Sequence, residues 1–103
     1  MKPLFIPLKR EYYEQFAAGT KTKELRKYGP RWNEKHCYPG RRVTLSLGYG
    51  KAHRLTGTVI GFRHTSGFDY WGTSQWNTDT AQAILDVYGT LDVQIAEIEI
   101  NLD

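Results

Sequence analysis

Gly19-Thr20-Lys21-Thr22-Lys23-Glu24-Leu25-Arg26 is the stretch on which the reading of this chain turns. A glycine closes an amphipathic segment, and a short polar run follows in which only Leu25 is apolar. Side chains alternate faces along a strand, so Thr22, Glu24 and Arg26 are expected on one side and Lys21, Lys23 and Leu25 on the other. Glu24 and Arg26 then become same-face neighbours. A carboxylate beside a guanidinium stays charged and oriented, and it still has an oxygen to offer a ligand. Two readings stand side by side: a solvated edge strand whose charges discourage aggregation, or the floor of a binding site.

Gly19, Lys21, Glu24 and Arg26 spell G-x-K-x-x-E-x-R after an N-terminal strand and helix in a chain of 103 residues. In this it resembles the ASCH domain family, which is related in fold to the PUA domains of RNA-modifying proteins. The resemblance implies a PUA-like pseudo-barrel and a nucleic-acid or nucleotide ligand. Small bacterial members remove the acetyl group from N4-acetylcytidine with a lysine in this motif, a threonine three residues on and a distant glutamate. Lys21 matches the first. Glu24 stands at the second, and residues 64–96 hold no glutamate, with Asp69 and Gln75 the nearest candidates. Other members act on RNA as ribonucleases, for which Lys21, Lys23, Glu24 and Arg26 would supply phosphate contacts and proton transfer.

Bulk properties bound the alternatives. A chain of this length is expected to form one domain over residues 1–103. Its hydrophobic (40%) and charged (24%) fractions suit a globular protein. No apolar run has the length to span a bilayer, and Met1-Lys2-Pro3 leads into a strand instead of a signal peptide, so a cytoplasmic location is expected and no membrane partner. The single cysteine, Cys37, can form no internal disulfide. Charge is unevenly spread. All 14 Lys and Arg lie in residues 1–63 beside four of the 11 acids, whereas residues 64–103 carry the other seven acids and no Lys or Arg. Such blocks can pair across the fold, or they can leave a basic face for a polyanion.

Along the chain, Leu4-Phe5-Ile6 reads as a buried strand with Pro3 and Pro7 at its ends. Lys9–Ala18 reads as a helix closed by Gly19. A loop from Tyr28 to Arg42 interleaves Arg31, Lys35, Arg41 and Arg42 with Trp32 and Tyr38. Cations there can hold phosphates while aromatic faces stack on bases, at ~1–3 kcal/mol per stack. Trp32 can equally plug the end of a barrel. Val43–Leu47 is an alternating strand and Arg54–Arg63 its return, with Gly57 and Gly61 suited to bends or bulges. Gly48-Tyr49-Gly50-Lys51 lacks the spacing of a phosphate loop.

Residues 64–77 read as an irregular aromatic segment in which two rings in three are expected to be buried, leaving one of Tyr70, Trp71 or Trp76 for a base. Thr78 or Asp79 can cap a helix through Asp86, with Gly89 beyond it. Val93–Leu102 closes the chain, its apolar phase slipping at Ala96-Glu97 as a bulge would cause. The expected architecture is α+β and mostly β: a curled antiparallel sheet or pseudo-barrel of about five to six strands with two short helices. His36, Cys37, His53 and His64 lack metal-ligand spacing, so neither metal nor cofactor is implied. The expected ligand is RNA or a nucleoside or nucleotide. Its site would be Lys21 and Glu24 for catalysis, with Thr22, Lys23, Arg26, Arg31, Trp32, Tyr70, Trp71 and Trp76 for binding. A protein-interaction role for the basic strip is the remaining alternative.

Overall fold

A computed structural model describes residues 2–72 and 74–103, with Gln75 described in its backbone alone. The elements run β1 (Leu4–Leu8), α1 (Arg10–Ala17), β2 (Lys23–Lys27), β3 (Arg42–Leu47), β4 (Arg54–Ser66), a 3-10 turn (Gly67–Tyr70), α2 (Gln75–Tyr88) and β5 (Gln94–Leu102). The five strands form one curled half-barrel sheet in the order β1-β3-β4-β5-β2. Only β1 and β3 pair in parallel; the other three pairings are antiparallel. The motif strand β2 is thus an edge, as β1 is on the opposite side.

Edge position explains a departure from the sequence reading. Pro7 lies inside β1, not beyond its end. A strand with a neighbour on one side alone can lack an N–H on the other. Leu4, Ile6 and Leu8 alternate into the core, where they meet Val43, Leu45, Val59, Ile98, Ile100, Phe16 and Cys37. Burying Cys37 ties the 28–41 loop to the barrel interior. The helix α1 has no side-chain cap at its start, and Gly19 follows its end at φ 78°. Its single buried residue, Phe16, fastens it to the core.

The chain after β4 also differs from expectation. Pairing with β5 carries β4 on to Ser66, and Ser66 and Asp69 then cap the 3-10 turn reciprocally. Ser74 caps α2 by accepting from the Asn77 amide, so this helix starts well before Thr78. Gly89 ends it in the left-handed region at φ 73°, where glycine meets no steric penalty. A second apolar cluster of Tyr70, Ala81, Ile84, Leu91 and Ile95 holds α2 against the sheet, with Leu25 beside it.

The expected bulge in β5 is absent, since Gln94–Ile100 pair with β2 or β4 throughout. The register shift falls across the ladder, between Val59 and Gly61 of β4. Ala96, Ile98 and Ile100 face the barrel interior while Ile95 and Glu97 face α2. A strand covered on both sides has no apolar phase to slip.

Candidate functional site

The structure distributes the predicted residues over two centres on opposite faces of β2. Pairing places Glu24 opposite Ile98 and Arg26 opposite Ala96, which turns both inward. Arg26 donates from Nε to Glu24 Oε2 at 2.9 Å and from Nη2 to the Pro7 carbonyl at 2.6 Å. One guanidinium therefore bridges the two free edges of the half-barrel. Lys21 departs from the alternation. Because β2 begins only at Lys23, Lys21 sits in a turn whose Thr20 and Lys21 amides both donate to the Gln15 carbonyl, at 3.0 and 3.2 Å. From there its ammonium reaches within 3.8 Å of Glu24 Oε1 and lies 5.3 Å from the centre of the Tyr12 ring.

This trio lines a pocket of about 340 Å³. Its walls are Tyr12 of α1, Leu8 of β1 and Lys9 after it, Leu25 of β2 and Ile84, Val87 and Tyr88 of α2. The volume falls at the small end of the usual range for ligand sites, and the apolar walls with a few convergent polar groups match their usual make-up. Glu24 is only 6% exposed. Burial pushes its carboxyl above the usual range, against the pull of Arg26 and Lys21. Burial also pushes the Lys21 ammonium below 10.5, an effect the Glu24 charge opposes and the Arg26 charge reinforces. A lysine so placed exchanges its proton more readily than a solvated one.

Trp32 packs against the first core cluster, with the guanidiniums of Arg26 and Arg31 4.9 and 5.5 Å from its ring centre. Trp32 thus packs into the core, as the plug reading expects, with two of the chain's own cations beside its ring. Arg31 is exposed. Nearby, Tyr28 stacks on His64 at 3.6 Å between ring centres and donates to Glu34.

On the other face, Leu25 packs beside the cluster under α2 and Lys23 turns toward that helix. Lys23 approaches Glu97 Oε1 at 3.4 Å and lies 5.2 Å from the Trp76 ring centre. Glu97 Oε2 accepts from Arg63 at 3.0 Å and from the Tyr70 hydroxyl. Burial alone would raise the Glu97 carboxyl, but these donors and the charges of Arg63 and Lys23 hold it below its ordinary value. Tyr70 is fully buried and its hydroxyl raised, first by burial and then by Glu97.

The aromatic segment is accordingly shared out. Tyr70 belongs to the core, Trp76 is partly exposed over Tyr70 at 5.5 Å, and Trp71 is 77% exposed. Two rings of the three reach solvent where one was expected, because α2 begins at Gln75 and carries Trp76 outward. None of the three lines the pocket, and neither do Arg31 and Trp32. Thr22 is exposed and contributes its carbonyl to the Ile100 amide. The predicted binding residues are therefore not gathered in one place, and the pocket is walled by residues of the two helices instead of by the aromatic segments.

Glu97 is the residue the sequence reading missed. Its signal was a carboxylate inside the apolar run Gln94–Ile100, which marks a buried charge in need of partners. Asp69 caps the 3-10 turn, and the side chain of Gln75 lies outside the described residues. Part of the charge asymmetry is resolved by pairing across the fold, Glu97 with Lys23 and Arg63 and Asp103 with Arg42. Lys9, Lys27, Arg31 and Lys35 are exposed. Among the described residues no three His, Cys, Asp or Glu side chains are grouped to hold a metal, and no helix is long and apolar enough to cross a membrane.

Among solved structures, the crystal structure of hypothetical protein PH0355 is similar with a TM-score of 0.67, covering 99% of this chain and 100% of that one at 21% identity. The likeness is one of fold. It is compatible with a PUA-like curled sheet. No family model matches the sequence, and no curated protein does.

Proposed function

We propose that this chain is an ASCH-type, PUA-like domain that binds RNA or a nucleotide by seating a base in the pocket over Lys21, Glu24 and Arg26. The observation that carries this reading is a buried carboxylate held between two cations in the lining of a largely apolar pocket. Structural ion pairs gain little from lying in a concavity. Polar groups that converge there can orient a heterocycle between the walls. Lys9, exposed and lining the pocket, supports a phosphate outside.

Titration with nucleotides and with mixed-sequence RNA at two salt concentrations tests the proposal. Binding is expected to weaken in Lys21→Ala and further in Lys21→Ala with Arg26→Ala, each checked for folding by circular dichroism. Unchanged binding in folded variants overturns it.

The lowered proton affinity of Lys21 favours a second reading, hydrolysis of an N4-acetylcytidine-type amide. Neutral Lys21 would take a proton from water as its oxygen bonds to the acyl carbon, then return it to the departing amine as the C–N bond breaks. Incubation with N4-acetylcytidine and with mixed RNA tests turnover. No product from either removes the enzymatic reading and leaves the binding one.

A further inference from the structure

We infer that the pocket reads the imide edge of a uracil-type base, an inference that rests on the binding function just proposed. Lys21 and Arg26 approach Glu24 on different oxygens, at 3.8 Å from Oε1 and 2.9 Å from Oε2. With a donor facing each oxygen, the carboxylate is the acceptor of the trio. A carboxylate has about four lone-pair sites, so two donors leave it able to accept a third.

Lys21 keeps further ammonium hydrogens. Arg26 commits Nε to Glu24 and Nη2 to the Pro7 carbonyl, which leaves Nη1 without a hydrogen-bond partner among the described residues. All three residues line the pocket. The chain therefore presents donor, acceptor, donor. Among the four RNA bases, uracil alone shows the complement along its Watson–Crick edge: carbonyl O4, the N3 hydrogen, carbonyl O2. Cytosine places the unprotonated N3 against the Glu24 carboxylate and its amino group against a cation. Guanine sets its amino group against the second cation.

Rejection is enforced by burial. Two acceptors facing each other at the buried Glu24 carboxylate cannot both find donors, so a mismatched edge leaves polar groups unpaired. Arg26, bonded through Nε and Nη2, would have to give up both bonds to swing away and relieve the conflict. Leu25, Ile84 and Val87 supply apolar walls for a flat ring, and Tyr12 adds an aromatic one.

Calorimetric titration of the wild-type protein with uridine, cytidine and N3-methyluridine monophosphates is the test. Uridine monophosphate is expected to bind about tenfold or more tighter than cytidine monophosphate, the scale of a buried hydrogen-bond mismatch. N3-methylation, which removes the imide hydrogen, should abolish that advantage. In Glu24→Gln, whose amide can donate to N3 of cytosine, the ratio should fall toward one or invert. A purely structural Glu24 would shift both affinities together. Cytidine binding as tightly as uridine, or N3-methyluridine as tightly as its parent, overturns the base assignment while the nucleotide-binding function stands. If none of the monophosphates and no RNA binds, both fall. The methylated ligand tests the inference even if the variant does not fold.

Discussion

Arg26→Ala should destabilise this protein far more than removal of a surface arginine would. The guanidinium is one-quarter exposed, but the carboxylate it contacts is buried, and its other end satisfies the Pro7 carbonyl across the gap between β1 and β2. Removing one partner of a buried pair costs about 3–5 kcal/mol because the other charge is left uncompensated. Lys21, 3.8 Å away, offsets part of this, which sets the expectation at the lower end, about 3 kcal/mol. For a domain of this size that lowers the melting temperature by roughly 12–24 °C.

The loss should also depend on pH. Burial raises the Glu24 carboxyl above its unfolded value near 4.5. The buried charge therefore destabilises the fold as pH rises through 4.5 toward the raised value, and protonation relieves it below. Without Arg26 the raised value climbs, so the deficit of the variant should shrink as pH falls toward 4.5. Glu24→Leu with Arg26→Met, which removes both charges, should recover most of the lost stability. Urea unfolding of the wild type and both variants at several pH values is the assay. A deficit under about 1 kcal/mol at neutral pH, the range of an exposed pair, would refute the view that Arg26 compensates a buried charge.

Glu97→Gln weakens the contacts to Lys23 and Arg63 and, since both cations are left partly exposed, should lower stability by about 1–2 kcal/mol at neutral pH, read by urea unfolding. The Glu97 carboxyl is depressed on folding, so its contribution is complete above 4.5 and is lost as pH falls through the lower folded value. The gap between wild type and variant should therefore close in acid, and a constant gap would contradict the assignment. Gly67→Ala places a Cβ 2.4 Å from the Leu91 carbonyl oxygen, a backbone atom that cannot turn aside. It should cost about 1–3 kcal/mol as an overpacked site, and an unchanged melting temperature would show that the 3-10 turn is not held against residue 91. In an NMR titration of the lysine ε-carbons, Lys21 should deprotonate below the ordinary 10.5, and an ordinary midpoint would place its ammonium in water.

What could be read locally was read from the sequence. A strand period of two put Glu24 and Arg26 on one face, and their contact follows. Gly19 and Gly89 sit where a helix must turn into the left-handed region, and both adopt it. Val43 and Leu45 alternate into the core as their spacing requires.

Tertiary structure alone decided which surfaces meet. Lys21 joins Glu24 because a turn, not a strand, precedes Lys23, and that turn is held by a carbonyl of α1. Pro7 is tolerated, and its carbonyl made available to Arg26, because β1 is an edge. Glu97 is paired because β4 and β2 flank β5 and bring Arg63 and Lys23 to it from either side. The aromatic residues parted from the pocket because α2 started earlier than any cap signal beyond Ser74 suggested, and its Ile84 and Val87 became the wall instead. Periodicity and caps are properties of a few consecutive residues. A buried charge is decided by neighbours tens of residues away, and only the folded chain brings those together.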